Sequence, residues 1–384
     1  MDNKKRLRIG ILLNFSGNWL GGVYYILNII RSLNYLENDT EKPEVYLFYN
    51  PELENHVREV NYPYLKSIAW NFESLPRHYA ISLLKQCNHN IDRITKEFDL
   101  DALFPVRDLL FKSKKRAERP KLISWYPDLQ HKFYPDFFKK RELVFREFRT
   151  RTMLKKTDAL VLSSHDVKTH FKKFYSIRED LELKVLQFVS IIDDMSFEPR
   201  DSILKRYGIP ETYFLVSNQF LQHKNHLVVL KAIDHLKKNG EDVHVVITGK
   251  MDSVRFPKFI DGLKKFIEDH DLSPKLTLAG LVPRRDQLAL MKYSKAVIQP
   301  SIFEGWSTVN EDAKTLQVPL IVSDIPVNRE QLEDTAAYFE PDDYKKLAGH
   351  ILKYQSQKIK TAYKLLEKRA RRFAESFLEV TEQK

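Results

Sequence analysis

Residues Ala296–Arg329 read AVIQPSIFEGWSTVNEDAKTLQVPLIVSDIPVNR. Two short apolar runs, Ala296–Pro300 and Pro319–Ser323, have the character of buried strands, and the segment between them is too long for a hairpin. They read as neighbours in a parallel sheet. Ser301–Ser307 carries turn chemistry. A helix follows through Lys314, capped by Ser307 or Thr308, with Glu311 placed to close a capping box on Thr308. Carboxylates therefore flank a strand-to-helix turn, Glu304 before it and the pair Glu311 and Asp312 in the first turns of the helix. Open α/β sheets bind ligands at this carboxyl edge, where two acids can hold hydroxyl groups. Taken singly, each helical acid is better explained as a complement to the positive end of a helix dipole.

The same alternation of strand and helix extends upstream. Strands are expected at Tyr213–Asn218, His244–Thr248 and Leu276–Ala279, with helices at Leu227–Lys238, Pro257–His270 and Arg285–Tyr293. The turn after the first of these strands runs from Gln219 to His226. A lysine just ahead of a helix, here Lys224, adds its charge to the helix amino terminus and suits a diphosphate. His223 and His226 have H-x-x-H spacing, but without a third ligand or a glutamate in the motif a metal site is not expected. Thr248-Gly249-Lys250 ends a strand at the same edge, which makes Lys250 a lesser phosphate candidate.

In the first half, the strand Arg6–Leu13 leads into Asn14–Gly22 (NFSGNWLGG) and an apolar-periodic helix, Val23–Leu33. Glycines at such a turn let backbone approach a ligand, and the helix start offers N–H groups to an anion. Gly17, Gly21 and Gly22 do not spell G-x-G-x-x-G, so no nicotinamide site is read here. Further strands are expected at Glu44–Tyr49, Lys66–Trp70, Ala102–Phe104, Lys121–Trp125, Asp158–Ser163 and Lys184–Val189. The turn Tyr126–Phe138 (YPDLQHKFYPDFF) places Asp128 and His131 close in sequence, although a histidine among aromatics is more often a packing residue than a catalyst. Basic residues concentrate from Lys112 to Lys121. They recur at Lys139, Lys140, Arg141, Arg146, Arg149, Arg151, Lys155 and Lys156, on an expected helix whose Phe138, Val144, Phe145, Phe148 and Leu154 supply apolar surface. That helix suits an anionic membrane surface if its aromatic face is exposed, and is an ordinary solvated face otherwise.

A domain boundary is expected where Asp193–Pro210 turns polar, around a short helix at Ser202–Tyr207. Tyr344–Glu382 reads as helical and strongly basic, with Phe373, Phe377 and Val380 on one stripe that needs covering.

The composition bounds what this chain does. Its 384 residues suffice for two domains with full cores, and 43% hydrophobic with 30% charged residues is globular. A single cysteine, Cys87, excludes an internal disulfide, and the absence of a cleavable signal favours a cytoplasmic location. No apolar run is long enough to span a bilayer. A formal charge of +11 attracts anionic partners without choosing among phosphates, acidic glycans, lipid surfaces and nucleic acid.

Pro300-Ser301, Glu304-Gly305-Trp306, the helix after them and Ser323-Asp324-Ile325-Pro326 together resemble the signature of the family-4 glycosyltransferases. The resemblance covers most of residues 200–380, and the first half only in layout and in the Tyr126–Pro135 turn. It implies an α/β protein of the GT-B fold, two Rossmann-like parallel-sheet domains facing a central cleft. Residues 1–195 would bind the acceptor and 196–364 the nucleotide-sugar, with a helix at about 365–384 packing back on the first domain. The implied activity is a retaining, metal-independent hexosyl transfer from a UDP- or GDP-sugar to a glycan or lipid-linked acceptor in cell-surface polysaccharide synthesis. No cofactor and no nucleic-acid partner are implied; contact with the inner face of an anionic membrane is compatible with the basic first domain.

The resemblance also assigns roles. Glu304 would lie beside the donor sugar, and Asp312, where the family usually has Glu, would bind the ribose, with Glu311 as the adjacent alternative. Gly305, Trp306 and Ser307 form the turn. Lys224 matches a lysine on the pyrophosphate, while Gln219, or Asn218 by a shifted count, stands where an arginine is usual. Val282 lies in the Ala279–Pro283 nucleobase loop, and Gly249 and Lys250 end a neighbouring strand. Asp128 matches the acid of a His-Asp pair; Pro127 occupies the histidine position, and His131 from the same turn would replace it. Gly21 and Gly22 belong to a cleft-facing loop. The rival readings are a nucleotide-sugar epimerase of the same fold and a non-catalytic binder of polyanions or glycans.

Overall fold

Successive residues along the strands of the second half enter opposite cores. In the strand Phe214–Ser217, Phe214 and Val216 pack into one hydrophobic cluster while Leu215 joins another, and Val297 and Ile298, like Leu320 and Ile321, divide the same way. Alternate side chains of a strand point to opposite faces, so a sheet covered by helices on both faces needs apolar residues at every position. This is why these strands read as continuous apolar runs. Each fully buried Val, Leu or Ile contributes about 1.5–3 kcal/mol to the fold.

The computed structural model describes residues 5–15, 19–111, 118–251 and 257–382. Gly17 and the Lys112–Ala117 part of the basic concentration lie outside the described residues. The chain divides into two units, one formed by 1–191 with 365–384 and the other by 192–364.

The first unit holds a seven-stranded sheet: β1 (Arg8–Leu13), β2 (Glu44–Tyr49), β3 (Leu65–Ala69), β4 (Ala102–Phe104), β5 (Lys121–Tyr126), β6 (Ala159–Leu162) and β7 (Glu182–Val185). Its spatial order is β3-β2-β1-β4-β5-β6-β7 and every pairing is parallel. The second unit holds β8 (Phe214–Ser217), β9 (Val245–Thr248), β10 (Leu276–Gly280), β11 (Val297–Gln299), β12 (Leu320–Ser323) and β13 (Ala337–Phe339) in the order β10-β9-β8-β11-β12-β13, again all parallel. Both are doubly wound sheets. In each, the strand order reverses at one point, β1/β4 in the first and β8/β11 in the second, and such switch points are where open parallel sheets bind ligands.

Two expectations are corrected and one strand is added. The run Lys184–Val189 is in the sheet only at its start, in the strand Glu182–Val185, with the Leu186 amide still donating to the Leu162 carbonyl at 2.9 Å; Phe188 and Val189 are buried by packing beyond it, and the Leu186 carbonyl accepts from the Tyr25 hydroxyl at 3.1 Å. The stretch Tyr344–Glu382 is two helices, Tyr344–Ser356 and Leu366–Thr381. Between them Tyr363 turns into the second unit's core and donates to the Val318 carbonyl at 3.1 Å, which a continuous helix would prevent. The edge strand Ala337–Phe339 has only three residues, too few for a periodic pattern.

The Leu366–Thr381 helix completes the first unit. Phe377 meets Phe104 edge-on at 5.4 Å, and Phe373 meets Tyr25 and Phe188 at 6.2 and 6.3 Å. Arg371 pairs with Glu37. Lys121, fully buried, donates to the carbonyl of Glu382 at 2.9 Å and pairs with Glu182 at 2.7 Å. A buried ammonium needs such partners, because an unpaired charge costs several kcal/mol to desolvate.

Candidate functional site

The residues that converge at the second sheet's switch point leave β8 and β11 in sequence. Beyond β8, Asn218 is buried, and a short turn at Gln222–Lys224 leads to Asn225, held in a left-handed conformation (φ 53°) with its amide on the Pro341 carbonyl at 2.7 Å. The helix His226–Lys238 starts there without a side-chain cap and without an acid in its first turn, so its positive end stays uncompensated locally. Beyond β11, the chain turns through Ser301–Gly305 into the helix Thr308–Leu316.

The two connections are bonded to one another. The Ile302 amide donates to the His223 carbonyl at 2.9 Å, and Asn218 donates to Gln299. Gln299, fully buried at the end of β11, passes its own amide hydrogens to Glu304 Oε1 at 3.0 Å and Ser307 Oγ at 2.9 Å. Lys224 Nζ closes the set on Glu304 Oε1 at 2.5 Å, with the two side chains only 18% and 10% exposed. Burial opposes ionisation of Glu304, but the Lys224 ammonium outweighs it and holds the carboxyl below its usual range. Burial, reinforced by Lys224, pushes His223 down to about 4, and burial pushes His226 down to about 3. Both imidazoles are therefore neutral at pH 7. His226 is fully buried and stacked on Phe220 at 4.2 Å, a packing role.

Glu311 and Asp312 are both buried and both engaged. Ser307 is the N-cap, its hydroxyl accepting from the Asn310 amide at 3.3 Å, so the expected capping box on Thr308 does not form. Glu311 instead accepts from Lys314 at 2.7 Å and Gln331 at 3.0 Å. Asp312 is held by Arg284 in a two-pronged pair at 2.5 and 2.7 Å. Arg284 also reaches Gln287, whose amide donates to Ser217 Oγ at 2.6 Å, so this acid is tied to the end of β8. Gly305 and Ser307 are buried and Trp306 and Val282 half-buried, while Gln219 and Lys250 are exposed. Gly249 has φ 124°, and a Cβ there would lie 2.2 Å from the Asn218 carbonyl oxygen.

In the first unit, Asp128 caps a turn by accepting from the Gln130 amide at 2.9 Å. His131 is 4% exposed, 6.3 Å edge-on from Phe138, and burial together with Arg146 pushes it down to about 4. Gly21 and Gly22 open the helix Leu20–Ser32; a Cβ on Gly22 would strike the Trp19 ring at 2.6 Å, and Trp19 in turn stacks on Trp125 at 5.5 Å. On the helix Lys140–Lys156, Leu154 is buried whereas Val144, Phe145 and Phe148 are exposed. Among the described residues no group of three or more His, Cys, Asp or Glu could hold a metal, and no helix is long and apolar enough to cross a membrane.

Sequence reasoning missed Gln299 and Arg284. A glutamine closing an apolar strand reads as the chain's exit to solvent, and the partner of Asp312 stands 28 residues before it in sequence.

The fold and the acid–lysine site define a class, the GT-B proteins, and residues 200–373 match the family of glycosyl transferases group 1. The O-antigen chain mannosyltransferase RfbU of Salmonella typhimurium is 28% identical over 220 residues, which are 57% of this chain and 56% of that protein, so the match spans about half of the curated relative. Among solved structures, a glycosyltransferase from Rickettsia africae superposes with a TM-score of 0.65 at 17% identity, covering 98% of this chain and 94% of its own. HepE of Anabaena, solved with UDP and glucose, gives 0.64 at 15% identity, with 98% and 97% covered. Likeness at such identities establishes the shared fold.

Proposed function

We propose that this chain is a retaining glycosyltransferase that moves a hexosyl group from a UDP- or GDP-sugar to a glycan or lipid-linked acceptor during assembly of a cell-surface polysaccharide. The observation that carries the reading is the Lys224–Glu304 pair, placed across the β8/β11 switch point inside the region that matches the family. The relationship to an O-antigen chain mannosyltransferase supports the polysaccharide setting and makes mannose the first donor sugar to test.

An arriving diphosphate competes for the Lys224 ammonium and meets the uncapped start of the His226–Lys238 helix. Lys224 then stabilises the charge that builds on the leaving phosphate, while Glu304, ionised and steered by Gln299, accepts hydrogen bonds from the donor sugar hydroxyls. The bond from the anomeric carbon to the diphosphate oxygen breaks as the acceptor oxygen bonds to that carbon on the same face. The acceptor proton passes to the departing phosphate. Carboxylate charge nearby supports the oxocarbenium character of the carbon, a secondary contribution beside orientation.

The test is nucleotide release across a panel of UDP- and GDP-hexoses, with the anomeric configuration of the product read by NMR. One donor class should be turned over with retention, and Glu304→Ala should lower that rate by about 100-fold or more. Inversion would remove the retaining mechanism. No turnover of any donor, together with tight heparin binding, would replace the enzyme with a polyanion-binding protein.

Exposure of Val144, Phe145 and Phe148 beside the exposed Arg141, Arg146, Arg151 and Lys155 supports peripheral contact with an anionic bilayer. Vesicles containing phosphatidylglycerol should retain the protein and neutral phosphatidylcholine vesicles should not. Phe145→Ser with Phe148→Ser should weaken retention by roughly tenfold, given the few kcal/mol that two aromatic side chains bring to an interface. Equal retention on both vesicles would remove the membrane from the proposal.

A further inference from the structure

The first sheet has a switch point of its own at β1/β4, and a cavity of about 360 Å³ opens there, within the roughly 300–1,000 Å³ of small-molecule sites. Asn14 and Phe15 reach it from the end of β1, Asn50 from the end of β2, Arg107 from the connection after β4, and His78 and Asn90 from two helices. Five separate stretches of chain thus build one wall of amides, a guanidinium, an imidazole and an aromatic ring.

The charges in this wall are unevenly matched. Asp108 gives its carboxylate to Arg149 at 2.5 and 3.1 Å and to the Tyr79 hydroxyl at 3.1 Å. Glu73, the other acid lining the cavity, pairs with Arg77 at 3.2 Å. Arg107 makes no ion pair among the described residues; its guanidinium lies over the Phe15 ring, 5.5 Å from the centroid. The residue after it, Asp108, has φ 60°, a left-handed conformation that a non-glycine residue adopts at a cost of about 1–2 kcal/mol. The surrounding structure holds that turn against its local preference.

His78 supplies the second observation. It is 3% exposed, with Nε2 3.2 Å from the Asp108 carbonyl oxygen and Nδ1 buried without a hydrogen-bond partner. A carbonyl only accepts, so Nε2 carries the proton it shares with Asp108. That bond anchors the turn that presents Arg107 to the cavity.

We infer that this cavity is the acceptor site and recognises a saccharide bearing an oxyanion, the anion on Arg107 and the sugar hydroxyls on Asn14, Asn50 and Asn90. The assignment as acceptor site rests on the proposed glycosyl transfer; the assignment as an anionic-saccharide site rests on the cavity alone. Guanidinium forks match phosphate and carboxylate alike, so both a sugar phosphate and a uronic acid satisfy the chemistry.

Ligand-observed NMR on the full chain decides, with glucose 1-phosphate, glucuronic acid, methyl glucoside and inorganic phosphate as probes. At least one of the two charged sugars should bind roughly tenfold or more tightly than both methyl glucoside and inorganic phosphate, and Arg107→Gln should erase that advantage, since a hydrogen bond to a charged group is worth about a factor of ten or more. Arg107→Lys should keep part of it. An unchanged melting temperature and unchanged UDP binding show that the variants are folded. Which charged sugar prevails identifies the anion. Methyl glucoside or inorganic phosphate binding as well as both charged sugars, or an Arg107→Gln chain that binds them like the parent, overturns the inference. Binding that depends on Arg107 in a chain that turns over no nucleotide-sugar would keep the saccharide site and remove the glycosyl transfer.

Discussion

Lys224→Met is expected to lower kcat/KM for nucleotide-sugar turnover by about 100- to 1,000-fold, the loss typical of removing one preorganised group that faces developing charge. The substitution has a second effect that a merely weakened binding site would not show. Glu304 keeps its burial and loses the ammonium 2.5 Å away that holds its carboxyl low. Its folded-state pKa therefore rises, and the residual activity of the variant should climb as pH rises above the ordinary carboxylate range, where the parent, with Glu304 already ionised, stays flat. Adding Glu304→Gln to Lys224→Met should cost much less than the two single losses multiplied together, because the pair acts as a unit. Rates and melting temperatures measured from pH 5 to 8 check all three expectations. A variant with a flat profile and near-parental kcat would place Lys224 outside the reaction.

Gly249→Ala should destabilise the second unit by about 4 kcal/mol and lower its melting temperature by on the order of 10 °C. Two causes combine. The backbone at φ 124° is one that side chains rarely adopt, and the added Cβ would sit 2.2 Å from the Asn218 carbonyl oxygen, so one of the two strand ends must shift. Asn218 holds Gln299, and Gln299 holds Glu304, so the shift reaches the site. Gly208→Ala is the matched control, since Gly208 also has positive φ (63°) but nothing within 4 Å of the new atom. It should cost only about 1 kcal/mol. Equal costs in thermal unfolding would show that close approach is not what requires glycine at 249.

The difference between these glycines illustrates what can be read from a chain before it is folded. The layered α/β architecture was legible because strands buried on both faces are apolar at every position and are punctuated by turn residues, as at Leu320–Ser323 before Asp324-Ile325-Pro326. Glu304 and Lys224 were legible as a motif and as a lysine ahead of a helix, and the structure brings them to 2.5 Å. The state of Asp312 was not. Spacing places it on a helix near the edge, but only the folded sheet brings Arg284 against it. Gln299 and Arg107 were illegible for the same reason, since neither belongs to a local pattern and each acquires its surroundings from segments tens of residues away. The strand at Glu182–Val185 was misplaced because burial and sheet pairing leave the same apolar trace in sequence.

The Leu366–Thr381 helix gives the first unit an unusual dependence on order of synthesis. Lys121, Phe104 and Tyr25 are translated well before the helix that covers them, and the whole of the second unit is made in the interval. A growing polypeptide therefore carries an open apolar face on its first lobe until residue 381 has left the ribosome, whereas every core residue of the 192–364 lobe is already available by then.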